Sequence, residues 1–311
     1  MPTIDLSTPP PPPAGLLDAL PRRVSLTLPE LRLVAERAGG APLPFDLVDG
    51  GARPGGSALD GRLGQSRGTA ETTAYAAALD ALHDPETSLT RRGLLTGRTV
   101  DDGLLGAVGL LATPSVALDL DVTVGGVQAK AWHRQDGAAV ATLATVDGIV
   151  FELAWLPTAL WPGELARTTV VPEDVTLHES AVPSLVTLPF ELADAAGEAL
   201  RTGRSDLVPV LAAQHHGQVV DGTGTLLGDA DVVGLLTAVA HESRGRLRAL
   251  VADVSGSETT VVGVVSWVLL ADGWRSLRPH EVDGVQRVEL RRVQPNDLAA
   301  DLAPVLAEVV G

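Results

Sequence analysis

The sequence predicts an α+β fold in which an antiparallel β-sheet is flanked by helical bundles, built as two related halves in a quasi-two-fold arrangement. Three observations carry this. Apolar stripes at helical spacing follow recognisable capping signals. Runs of β-branched and apolar residues are broken by Gly-Gly and Asp-Gly turns, the signature of hairpin-linked antiparallel strands. And the same order of signals occurs twice along the 311 residues.

Residues 1–22 read as an N-terminal tail whose Pro9–Pro13 run favours an extended polyproline backbone. Val24 to Leu28 alternate as a short strand. Thr27-Leu28-Pro29-Glu30 then forms a capping box: the threonine hydroxyl accepts from the third helical N–H, and the glutamate reaches back. Pro29 sits in the first turn, where its missing N–H costs little. Leu31, Val34, Ala35 and Ala38 make the apolar stripe, and Gly39-Gly40 stop the helix. Residues 49–69, rich in Gly, Arg, Ser and Asp, read as a long loop. A helix over 70–82 carries Tyr75, Ala78, Leu79 and Leu82, and Thr99-x-x-Asp102 opens another bearing Leu104, Leu105, Val108 and Leu111. Strands follow at 117–124, 127–133, 138–146 and 149–155, and Pro162-Gly163-Glu164-Leu165 ends the run as a helix start. Trp132 and Trp155, within these strands, read as core.

The order then repeats. Val186-Thr187-Leu188-Pro189 echoes the first helix start, and a helix runs to about Thr202 before Gly203. Asp229 to Leu236 echoes the acidic helix start at 100–108. Strands are expected at 247–254, 259–270 and 285–293, with a terminal helix from Pro295. Thr27 and Thr187 are 160 residues apart, whereas Asp102 and Asp231, and Leu118 and Leu247, are each 129 apart. The first half therefore carries about 30 extra residues before its strands, where the Gly/Arg-rich loop lies. The expected organisation is a tail at 1–22, an N-terminal α+β half at 23–175, and a C-terminal α+β half with a helical bundle at 176–311.

Composition limits the function. Hydrophobic residues make up 45% of the chain, enough for a substantial core. The net charge of −16 is opposite to the basic footprint of a nucleic-acid binder, and no apolar stretch approaches a membrane span. The absence of cysteine excludes disulfides, thiolate metal sites and thiol nucleophiles. The N-terminus lacks the basic and apolar regions of a secretory signal, so a cytoplasmic protein is expected.

Catalytic constellations are sparse. The seven histidines form no HExxH motif, and the neighbours His215-His216 point apart rather than converge on a metal. There is no GxSxG elbow, and the single lysine, Lys130, lies in a strand, outside any P-loop pattern. Residues 221–229 hold a glycine-rich stretch, Asp221-Gly222-Thr223-Gly224 through Gly228. Read as a dinucleotide loop, it is the basis of an alternative function, a nucleotide-dependent enzyme. However, Asp229 and Asp231 open the next helix and repel phosphate, and the apolar lead-in is only two residues long. Asp119, Asp121 and Glu152 alternate with apolar residues, the pattern of a solvated sheet face. No catalytic, cofactor-binding or metal-binding residue is assigned, and no cofactor is expected.

Several segments together resemble the EspG family of actinobacterial type VII secretion chaperones: Leu26-Thr27-Leu28-Pro29-Glu30-Leu31, Gly93-Leu94 with Pro114, Asp147-Gly148-Ile149-Val150, Ser243-Arg244-Gly245-Arg246 and Pro295-Asn296-Asp297-Leu298. The resemblance spans about residues 23–310. It implies a non-catalytic, cytosolic binding protein that keeps secreted helical PE/PPE-like heterodimers soluble, a client held by a C-terminal helical bundle and a loop between early strands, and no nucleic-acid or membrane partner. A scaffold or regulator of the same fold is the further alternative. The helix from Asp229 matches that bundle. Its stripe Val232, Leu235, Leu236 and Val239, at i, i+3, i+4, i+7 spacing, is the predicted partner-binding set. One stripe can bury against the sheet or receive a client, not both fully. The client-facing loop would correspond to His133–Ala138, which is short; residues 49–69 are the substitute.

Overall fold

The alternation at Val24–Leu28 becomes strand β1 (Arg22–Thr27), and its last residue caps the first helix. The structure, a computed structural model, describes residues 21–45, 74–75, 77–79, 81–256 and 258–310. The polyproline run and the 49–69 loop lie outside the described residues. Of the helix expected at 70–82, residues 74–75 and 77–79 are helical. By internal packing the chain divides into two units. One takes the described residues up to Asp119, with Ala129–Trp161 and Ala252–Thr260. The other takes Leu120–Gln128, Pro162–Val251 and the described residues from Val261 onward.

In the first unit, helix α1 (Leu28–Arg37) opens with the predicted capping box. The Glu30 N–H donates to the Thr27 hydroxyl at 3.4 Å, and the Thr27 N–H donates to the Glu30 carboxylate at 2.8 Å. Helix α2 (Pro85–Arg91), capped by Asp84, and a two-residue hairpin of β2 (Leu95–Thr96) and β3 (Thr99–Val100) fill the interval before helix α3 (Asp102–Ala112). Thr99 does not cap α3. It pairs in β3, and Asp101 accepts from the Leu104 N–H at 3.1 Å instead. A meander follows, of which Leu120–Gln128 is counted with the other unit: β4 (Val116–Val124), β5 (Val127–Asp136), β6 (Ala139–Thr145) and β7 (Val150–Pro157). Strand β1 closes it against β7, Leu26 opposite Phe151. Leu26, Leu31, Val34, Leu104, Val108, Leu143 and Leu153 form the core, with Phe45 packed between Trp132 and Phe151. Trp132 is thus core, as read from the sequence, and Trp155 packs at its margin.

The second unit repeats this order. After helix α4 (Trp161–Thr168) come β8 (Leu185–Pro189), helix α5 (Phe190–Arg201), helix α6 (Val208–Gln214), a short β9 (Val220–Asp221) and helix α7 (Asp229–Glu242). The meander is β10 (Gly245–Asp253), β11 (Thr260–Leu270), β12 (Gly273–Val282) and β13 (Val285–Arg292), and helix α8 (Asp297–Val310) ends it. Strand β8 closes on β13, Leu290 opposite Val186, as β1 closes on β7. The echo at Thr187 is inexact: β8 runs two residues further than β1, and Pro189 stands at the N-cap without a side-chain cap. Leu118 and Leu247 occupy the same buried place in β4 and β10. The stripe Leu104, Ala107, Val108, Leu111 of α3 maps onto Val232, Leu235, Leu236, Val239 of α7 at an offset of 128, one less than the acidic residues suggested. The repeat is therefore written in the buried positions.

Candidate functional site

The bundle of α5, α6 and α7 lies on the core of the second unit, where an apolar surface is first spent on packing. Val232, Leu235 and Leu236 are buried, and half-buried Val239 joins them against Leu192, Ala196, Val208, Ala212, Leu270, Val288 and Leu290. The four predicted partner-binding residues are thus brought together, facing inward. The physical reason is area: α7 has one apolar stripe, and the core it shares with α5, α6 and the strands takes it. What α7 turns outward is small or polar: Ala230, Asp231, Gly234 and His241.

Outward apolar surface lies on α6, with Phe190 at the start of α5 also 47% exposed. Val208 and Ala212 are buried, whereas Val210 is 54% exposed and Leu207, in the preceding turn, 37%. Leu207, Val210 and Gln214 share one face at i, i+3, i+7 spacing, with half-buried Leu211 beside them. The sequence held the signal, since a short helix reading Val-Pro-Val-Leu-Ala-Ala is apolar all round and cannot bury every face. A hydrogen bond between His216 Nδ1 and Asp229 Oδ1 at 2.8 Å ties the end of α6 to the start of α7.

The glycine-rich segment binds itself. Asp221 Oδ1 accepts from the Thr223 N–H and hydroxyl and from the Thr225 N–H at 2.7–3.0 Å. The N–H groups of Asp221, Gly224 and Leu227 donate to backbone carbonyls of the same loop. These loop N–H groups are engaged rather than free for a pyrophosphate, and Asp229 and Asp231 occupy the first turn of α7, where a phosphate would sit. The Asp221 carboxyl is held below the ordinary carboxylate range, first by the Thr223 hydroxyl and then by the Thr225 and Thr223 N–H groups. This is a self-capped turn.

The alternating carboxylates are likewise partnered by neighbours rather than by each other: Asp119 with Arg134 at 2.7 Å, Asp121 with Gln128 at 2.8 Å, and Glu152 with Arg23 at 3.2 Å. His133 is buried, its Nδ1 accepting from the Trp161 indole N–H at 2.9 Å. Among the described residues no group of three or more His, Asp or Glu is disposed to hold a metal, and no helix is long and apolar enough to cross a membrane.

Against solved structures, the chain superposes on the Mycobacterium tuberculosis type VII secretion system chaperone EspG5, solved in complex with a PE25–PPE41 dimer. The TM-score is 0.61 at 10% identity, over 92% of this chain and 96% of that one. This is the EspG5 fold. No family model matches the sequence, and no curated protein does. At 10% identity the likeness to EspG5 is one of fold. The segment that the EspG resemblance implied as a client loop is a tight turn: β5 runs to Asp136, β6 begins at Ala139, and the Gln135 side-chain amide closes the turn on the Gly137 carbonyl.

Proposed function

We propose that this chain is a non-catalytic cytoplasmic chaperone that holds a PE/PPE-like helical heterodimer soluble for type VII secretion. The observation that carries the proposal is the fold shared with EspG5 over nearly the whole of both chains, in a structure where EspG5 holds such a dimer. The client meets the outer face of the bundle at Leu207 and Val210. Val232, Leu235, Leu236 and Val239 serve that surface from beneath, as the packing that fixes α7 against α5 and α6. Apolar side chains at a client tip gain roughly 25 cal/mol per Å² when buried there, less the ordering costs of association. The acidic surface keeps the complex soluble and selects neutral or basic tips.

Co-expression with a candidate PE/PPE-like pair and co-purification tests this. Leu207→Asp and Val210→Asp are expected to keep the melting temperature and lose the client. Full retention of the client by both folded variants overturns the assignment of the surface. Failure of any such pair to co-purify with the unaltered chain overturns the function.

A further inference from the structure

The sheet of the second unit is open at one place along β11. By strand order β11 is hydrogen-bonded between β10 and β12. Its register with β12, however, covers only Ser266–Leu270, paired with Leu277–Gly273. Continued, that register would set Val264 opposite Pro279, which has no N–H to donate. From there β12 pairs with β13 alone, to the Val282–Val285 turn. The β12-side edge of Val261–Val265 is left unpaired among the described residues, and Val261 and Val264 are 56% and 41% exposed.

This edge lacks the usual protection. Edge strands are normally blunted by charge, proline or a bulge. Here no charged residue falls between Glu258 and Asp272, despite the net charge of −16. Helix α8 covers one face of the strand, not its edge: a Cβ on Gly263 would come within 2.7 Å of Val305 Cγ1, so glycine is what lets the helix sit so close.

The sequence of the edge identifies its occupant. Val261-Val262-Gly263-Val264-Val265 reads the same in both directions. A two-fold interface requires a surface complementary to itself. An antiparallel pair centred on Gly263 sets Val261 against Val265 and Val262 against Val264 of the second copy, β-branched pairs that stabilise antiparallel sheets, and it brings no charge opposite a like charge. We propose that a second copy of this chain pairs with the β11 edge, forming a two-fold dimer through a continuous sheet. Five paired residues a side fall short of the roughly 1,200 Å² of a standard interface, so the dimer is weak and concentration-dependent. The α5–α7 surface is not involved, so this inference stands apart from the proposed client.

Light scattering across a concentration series of the full chain tests it, with cross-linking in this cysteine-free sequence. The mass is expected to approach twice the 32.1 kDa of the chain, more readily at higher salt, because screening relieves repulsion between acidic copies. Val264→Lys, at an exposed position, keeps the melting temperature and the monomer mass. An equimolar mixture of Val262→Cys and Val264→Cys forms a disulfide dimer faster than either variant alone, because those two positions face each other in this register. A monomer at every concentration and salt overturns the proposal. So does a dimer indifferent to Val264→Lys, or equal cross-linking by Val264→Cys alone. A partner with an unlike extended segment, which would leave the chain monomeric by itself, gives the first of these.

Discussion

Gly245 shows how little room a single position can have. A Cβ there would lie 2.4 Å from the Thr123 carbonyl oxygen and 3.2 Å from the Val124 Cα, both backbone atoms that cannot swing aside. Gly245→Ala should cost about 2–4 kcal/mol, read as a fall in denaturation midpoint. Gly234, in the middle of α7, has open space at the same atom. Gly234→Ala should stabilise by about 0.5–1 kcal/mol. Two glycines in one unit thus carry opposite signs, and the sequence alone distinguishes neither. Arg275 is a second case. It is buried with an ion pair to Asp272 at 3.0 Å, and its Nε and Nη1 find no partner among the described residues. Asp272→Ala strands that cation and should cost about 3 kcal/mol or more, whereas Arg275→Met, which removes the buried charge, should cost distinctly less. Asp221 gives a pH signature. Its depressed carboxyl stabilises the turn while ionised. That contribution is fully present above the ordinary value of 3.8 and is lost as pH falls through the lower folded value. The Thr223 and Thr225 amide shifts should therefore hold from about pH 7 to about pH 5 and move only in stronger acid.

At the scale of elements, caps and stripes were the legible part. Thr27 caps α1 as the spacing required, and Thr27→Ala should cost about 1 kcal/mol of stability. The first meander lies within one to three residues of the strands read from alternation, because Gly125-Gly126, Gly137 and Gly148 all take positive φ in its turns. Strand β12 was not legible. Its Asp272-Gly273 turn was there to read, but Arg275 and Ser276 are buried beside Trp274, and Pro279 interrupts the run, so polarity alternation fails. The same limit governed the candidate site. A stripe at Val232, Leu235, Leu236 and Val239 states that α7 has an apolar face, not what covers it. Leu235→Ala should cost about 2–4 kcal/mol through the cavity it leaves, while Val210→Asp should leave stability within about 0.5 kcal/mol and act on binding alone.

For the molecule as a whole, charge and repetition set the behaviour. With a net charge of −16, association with a basic client tip should slow as salt rises while dissociation changes little, a split that stopped-flow binding at two ionic strengths would resolve. The sequence by itself determined the α+β class, the doubled order of helices and strands, and the capping of α1, because caps, turns and amphipathic periods are local and need no knowledge of what lies across the core. It also reached the EspG resemblance, since that rests on the same order and spacing. Only the tertiary structure decided which apolar faces were consumed. The α7 stripe went to the core, the outward face of α6 stayed open, the Asp221 loop closed on itself, and β12 parted from β11 at Pro279. Each outcome depends on residues distant in sequence competing for the same surface, which no local pattern records.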